Sequence, residues 1–327
     1  MKTPVLLITF NRPDETKRVL DVILGQNPEE IFVFQDGPRK DNKNDAAACA
    51  EVRNVIEKAF NDIDGKVKKH FLFSERNFGC GMGPVTAISW FFDEVEQGIV
   101  FEDDCIPHPD FFNYCEELLD KYKDDERISF IGGCNFDDKD VGLQSSYGFC
   151  SGHHETWGWA SWRRSWKLMD YRLRSVSKKD FRRMLRHYFR TWKHKEYWWM
   201  IYGMVKRDQM RGSCWDYQFY FSCWKYNMVA IYPKTNLVSN VGFGENATHT
   251  LSKGNRLLLR ESESIMPLKH PSKVVLDVDY DYRMLRYYDI PFEYGLSGLK
   301  RMPYRVNRWL MRQYDGKKLD EKLRNEA

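Results

Sequence analysis

Ile99-Val100-Phe101-Glu102-Asp103-Asp104 is a short apolar run that ends without a break in three carboxylates. A β-branched and aromatic run of this length predicts a buried strand, and the acids mark the point where the chain leaves the sheet. On either side, the first 135 residues alternate strand-length apolar runs with helical stretches. Strands are expected at Val5 to Phe10, Ile31 to Gln35, His70 to Phe73, Ile99 to Phe101 and Ile128 to Ile131. Helices are expected at about 14–25, 45–60, 82–95 and 109–122, the first opened by Pro13, a favoured first-turn residue. Repeated βα units of this kind feed a largely parallel sheet. The strands end at Asn11-Arg12, Asp36-Gly37, Ser74-Glu75-Arg76-Asn77 and Glu102-Asp103-Asp104. Ligands of open parallel sheets bind outside the carboxyl ends of the strands, so these clusters are expected to converge on one cleft.

The whole chain has 327 residues, enough for about two domains or one large α/β domain with an appendage. With 42% hydrophobic and 30% charged residues and a mean hydropathy of -0.64, it is neither a disordered chain nor one embedded in a membrane. Its net charge of +4 conceals segregation: residues 163–211 carry +12, residues 295–327 carry +5, and the remainder carries -13. Such a basic block suggests an anionic surface or polymer as partner, the alternative being a solvated helical face. Eight scattered cysteines without a Cys-x-x-Cys pair read as reduced core thiols. The first apolar run stops at Asn11-Arg12, too short for a signal peptide, so a cytoplasmic location is expected, with the Asn246-Ala247-Thr248 sequon unused. After Cys134 comes a Gly/Ser-rich stretch, then Trp157-Gly158-Trp159-Ala160-Ser161-Trp162 and basic helical material to about 211. The tryptophans there, with Trp192, Trp198 and Trp199, suit either a sugar-stacking platform or an aromatic core. The tail from 295 places Trp309 among Arg305, Arg308 and Arg312, as in an interfacial amphipathic helix, which suggests peripheral attachment to the inner face of a plasma membrane.

Three acids in a row are weak evidence alone, and Asp124-Asp125-Glu126 is a second triplet, read as a solvated helix end. Position gives Glu102, Asp103 and Asp104 their meaning. Carboxylates at the end of a central strand sit where Mg²⁺ or Mn²⁺ would bridge them to a ligand's phosphates. The Gly-rich Arg76-Asn77-Phe78-Gly79-Cys80-Gly81-Met82-Gly83 turn would let backbone approach a diphosphate, or would be a plain flexible loop.

Val100-Phe101-Glu102-Asp103-Asp104-Cys105-Ile106-Pro107-His108-Pro109-Asp110-Phe111-Phe112 resembles the nucleotide-sugar motif of GT-A glycosyltransferases, with Golgi N-acetylglucosaminyltransferases acting on mannose the nearest likeness. Asn11-Arg12, Gln35-Asp36-Gly37 and Cys214-Trp215-Asp216-Tyr217 resemble further elements of that family in the same order. Trp157 to Trp162 and Asn236-Leu237-Val238-Ser239-Asn240-Val241-Gly242-Phe243-Gly244 resemble bacterial capsule and lipopolysaccharide glycosyltransferases. The resemblance implies a Rossmann-like α/β fold with a mostly parallel central sheet flanked by helices, a helical aromatic and basic insertion, and a C-terminal extension. It implies a nucleotide-sugar-binding part at 1–135, an acceptor and catalytic-base part at 136–250 containing the 163–211 insertion, and a basic extension at 251–327. In its terms Asp104 touches Mn²⁺ or Mg²⁺, Glu102 and Asp103 hold ribose or support the metal, Asp36 binds the uracil or its ribose beside Asn11 and Arg12, and Asp216 is the base. His249 is a further candidate for the metal or diphosphate. The implied partners are a nucleotide-diphosphate sugar, UDP-linked and with UDP-N-acetylglucosamine as one candidate, and a glycan or lipid-linked saccharide acceptor, with no nucleic acid expected. Two other readings stay open. A sugar nucleotidyltransferase would use a similar sheet but should carry a Gly-rich, basic signature after the first strand, which Ile8-Thr9-Phe10-Asn11-Arg12 lacks. A non-enzymatic binder of anionic polymers, nucleic acid or membrane surfaces would rest on residues 163–211, with aromatics stacking bases and Arg/Lys tracking phosphates.

Overall fold

Every residue of Val5–Thr9 is buried, as are five of the six in Glu30–Gln35, which is what two-sided burial in a covered parallel sheet requires. The computed structural model describes residues 1–61, 65, 67–136, 143–152, 156–208, 212, 214–242 and 264–284, all within the unit Met1–Tyr287. In chain order the elements are β1 (Val5–Thr9), α1 (Pro13–Gly25), β2 (Glu30–Gln35), α2 (Asp45–Asn61), β3 (Lys68–Phe73), α3 (Gly79–Glu94), β4 (Gln97–Glu102), β5 (Cys105–Pro107), α4 (Asp110–Lys121) and β6 (Ile128–Gly132). They continue with β7 (Tyr147–Cys150), β8 (Trp159–Trp162), α5 (Arg163–Trp166), α6 (Lys178–Tyr188), α7 (Trp192–Lys206), α8 (Asp216–Trp224), β9 (Val229–Pro233), β10 (Val238–Asn240) and α9 (Val278–Met284). All five expected strands and all four expected helices of the first part are present.

The central sheet has the order β3-β2-β1-β4-β8-β6-β9-β7. Its first four strands are mutually parallel, and β6 runs parallel to β9. β8 lies antiparallel between β4 and β6, and β7 closes the far edge antiparallel to β9. The fold is therefore α/β with a large, mostly parallel sheet flanked by helices. A separate pair, β5 with β10, sets Asn240 opposite Cys105 just beyond the end of β4. The chain beyond residue 135 thus supplies three strands of the main sheet, which its glycine- and aromatic-rich sequence did not announce.

The tryptophans resolve into an aromatic core. Trp159 is 1% exposed and packs on Trp215 at 5.8 Å and Phe219 at 5.7 Å, while Trp166 meets Phe219 at 5.1 Å. Trp198 and Trp224 are also fully buried, with ring centroids 5.1 Å apart. Trp192 differs, being 64% exposed. Residues 264–284, from the stretch read as an extension, run along β7. Ser146 N donates to Lys269 O at 2.7 Å, Asp277 N to Phe149 O at 2.7 Å, and the Tyr232 and Tyr280 rings stack at 3.6 Å. The tail from 295 lies outside the described residues.

Trp159→Ala should cost about 3–5 kcal/mol of stability in chemical denaturation, the range for truncating a buried aromatic. Trp192→Ala should change it by less than about 0.5 kcal/mol, because its ring is largely in solvent.

Candidate functional site

The register of the sheet assembles the site. Ile8 pairs with Glu102, so the turn after β1 and the acids after β4 emerge side by side. The Phe10 amide donates to Asp103 Oδ2 at 3.1 Å. Arg12, immediately before the proline that opens α1, reaches across with Nη1 2.7 Å from Asp104 Oδ2 and 3.5 Å from Asp103 Oδ1. From the other side, Asn240 Nδ2 donates to Asp104 Oδ1 at 3.1 Å, and Val241 N donates to Asp104 O at 2.8 Å. Gly242 follows, and a Cβ there would run into the Asp104 carboxylate, so this close approach requires glycine.

These acids are crowded. Burial, reinforced by the charges of Asp104, Asp103 and Asp216, pushes the Glu102 carboxyl up to about 8. Asp103, only 7% exposed, is raised to about 7 by burial and Asp104, against the pull of Arg12 and the Phe10 amide. Asp216 is the first residue of α8, held there by the burial of Trp215 against Trp159 and Trp166. Its charge bears on Glu102, and the charges of Glu102, Asp36 and Asp216 all bear on the Cys80 thiol. Asp103, Asp104 and Arg12 are thus brought together beside Glu102, and Asp216, remote in sequence, lies within electrostatic reach of Glu102.

Asn11 and Asp36 are committed differently. Asn11 Nδ2 donates to Asp45 Oδ1 at 3.0 Å, and Asp45 is clamped by Arg39 at 2.6 Å. The Asp36 carboxylate accepts from the amides of Phe78, Gly79 and Gly37 at 2.8, 2.9 and 3.0 Å and from Asn77 Nδ2 at 3.1 Å. Two expectations therefore meet each other: the anion at the Gly-rich start of α3 is Asp36 itself. Gly37 lacks room for a Cβ because the Arg76 backbone would lie 2.6 Å from it. Burial still raises the Asp36 carboxyl despite these three amides. His249 and Gly244 lie outside the described residues.

Sequence reading assigned no role to Asn240, Gly242, Asp45 or Arg39. Asn240 and Gly242 stood within the quoted 236–244 motif, but only the β5–β10 pairing brings them to Asp104. Asp45 looked like an ordinary helix start, and nothing local marks it as the partner of Asn11 and Arg39.

A divalent oxygen-seeking cation needs one or two protein carboxylates when phosphates and water complete its shell. Among the described residues no group of three His, Cys, Asp or Glu side chains is arranged to hold a metal ion. The donor chemistry nevertheless fits such a cation, because Glu102 and Asp104 are hard oxygen ligands whose mutual repulsion a positive charge would relieve.

No family model matches the sequence, and no curated protein is similar to it. Among solved structures, HddC from Yersinia pseudotuberculosis is 12% identical over 50% of this chain and 78% of that one, with a TM-score of 0.30. The inositol-1-phosphate CTP transferase from T. maritima is 10% identical over 54% and 75%, with a TM-score of 0.32. Mouse xyloside xylosyltransferase 1 is 12% identical over 40% and 52%, with a TM-score of 0.25. These are partial likenesses of backbone arrangement; the chemistry rests on the side chains.

The folded Glu102 carboxyl titrates near 8 against an ordinary 4.5, so the folded state holds its proton longer than the unfolded one. Its destabilising effect is therefore absent at low pH and grows as pH rises from about 4.5 towards 8. Glu102→Gln should raise the calorimetric melting temperature at pH 8 by about 2 °C or more and change it little at pH 4.5. An equal shift at both pH values would contradict this account.

Proposed function

We propose that the chain is a metal-dependent, inverting glycosyltransferase. It moves a sugar from a nucleotide-diphosphate donor, UDP-linked and with N-acetylglucosamine as the first sugar to test, to a hydroxyl of a glycan or lipid-linked saccharide of the bacterial surface type. The observation that carries this reading is a cluster of acids beside a cation at the carboxyl ends of β1 and β4, with a further carboxylate on α8 within electrostatic reach. Asp103 and Asp104 are tied to a cation, Arg12, while Asp216, the first residue of α8, acts on Glu102 through its charge. A cluster near a cation suits a leaving diphosphate, and a separate carboxylate suits an acceptor proton.

When bound, Mn²⁺ or Mg²⁺ would be held by Asp104 with Glu102 and would supply Lewis-acid neutralisation of the diphosphate charge. The protein does the rest. Asn240 fixes one oxygen of Asp104, and Arg12 provides a fixed positive charge beside the departing phosphate. The Phe10 amide orients Asp103. Asp216 accepts the proton of the acceptor hydroxyl as that oxygen bonds to the anomeric carbon. The anomeric carbon–phosphate oxygen bond breaks with its electron pair going to the nucleoside diphosphate, so one displacement inverts the configuration. Asp36 contributes indirectly, by setting the turn into α3.

Melting temperature measured with UDP, GDP, CDP, dTDP and their sugars, each with Mn²⁺, Mg²⁺ or EDTA, should show a metal-dependent rise for one nucleotide. Asp104→Ala should abolish that rise. Asp216→Asn should keep it while turnover falls at least about a hundredfold. Release of pyrophosphate from a nucleoside triphosphate and a sugar phosphate would make the protein a nucleotidyltransferase and defeat the proposal.

A further inference from the structure

The outer face of α6 and the start of α7 takes no part in this site. α6 is closed at its start by a reciprocal pair in which the Ser177 side chain accepts from Asp180 N while Asp180 accepts from Ser177 N. It turns Phe181, Met184, Leu185 and Tyr188 inward, with Phe181 stacked on Tyr202 at 4.1 Å and edge-on to Phe221 at 4.8 Å. Its apolar side is therefore satisfied within the molecule. The side left to solvent carries Lys179, Arg182, Arg183 and Arg186, at the three- and four-residue steps that form one helical stripe, and Arg190 and Lys193 follow it.

This charge is poorly compensated. Among the described residues the carboxylate pairing of the stripe is Arg183 with Asp180, at 3.5 Å. Lys225, at the end of α8, bears on that same aspartate and adds to the positive field. Trp192, the first residue of α7, stands 64% exposed between Arg190 and Lys193. Cations alone would suit any polyanion. An indole held out of the core beside them suits a boundary that is apolar on one side and wet on the other.

We propose that this face docks on a lipid bilayer bearing anionic headgroups, the cations lying over the phosphates and Trp192 seated among the headgroups. Electrostatic attraction brings the face to the membrane, and the buried indole supplies a component that salt does not screen. Docking here does not depend on the reaction proposed above.

The full chain should float with phosphatidylcholine vesicles containing about one third phosphatidylglycerol at low salt, and neither with pure phosphatidylcholine nor at high salt. Arg182→Glu with Arg186→Glu should weaken vesicle binding at least about tenfold while leaving the melting temperature near that of the parent. Trp192→Ala should weaken it about threefold or more and leave affinity for soluble polyphosphate unchanged. The proposal is overturned by absence of binding to the anionic vesicles, or by binding that survives the double charge reversal. It is equally overturned if Trp192→Ala binds vesicles like the parent, which would make the face a site for soluble polyanions.

Discussion

A buried strand that runs straight into three carboxylates is the constraint on which the rest of the molecule turns. Removing several like charges from water together is costly, and a protein that does so must hold them with donors and opposite charge or let them keep their protons. Here both occur. Arg12, the Phe10 amide and Asn240 hold Asp103 and Asp104, while Glu102 and Asp103 are left with strongly raised proton affinity. Phe10 and Arg12 come from the turn after β1 and Asn240 from β10, so β1, β4 and the short β5–β10 pair must be in register before the acids can be accommodated.

The same logic operates at Asp36. A carboxylate at the end of β2 and a run of exposed amides at the start of α3 would each be unsatisfied alone, and each becomes the other's partner. Glycine at 37 permits the close crossing of the Arg76 backbone. The result fixes the direction in which α3 leaves β3 and holds Cys80, next in the chain after Gly79, within the field of Glu102 and Asp216.

The first half of the fold was legible because its strands are short, apolar and punctuated by polar turns, so local pattern and tertiary position agree. Expected and observed strands there differ by a few residues at their ends, as when Ile99 to Phe101 becomes Gln97–Glu102. The second half was opaque for a physical reason. β7, β8 and β9 are flanked by aromatic residues that read equally well as core or as binding platform, and nothing local tells a chain that β8 will lie between β4 and β6. Of the candidate site, the acids after β4 stood out because they end a strand, and Asp216 because Cys214-Trp215-Asp216-Tyr217 resembles an element of the glycosyltransferase family. Asn240, Gly242 and Asp45 could not, since an asparagine, a glycine and a helix-start aspartate carry no signal until a distant partner arrives.

The two rims of the sheet are finished in different ways. β3 begins with Lys68 and Lys69, charges that discourage another strand from pairing there. β7 has no such guard and relies on residues 264–284, whose Leu276 bridges Phe149 and whose Asp281 carboxylate receives the Ser151 amide and hydroxyl. A chain cut before residue 264 would keep every central strand yet offer β7 as an open template. The cut would also strip the buried Tyr280 and Met284 from the packing against β7 and β9, so copies could pair rim to rim along an edge that had lost its cover.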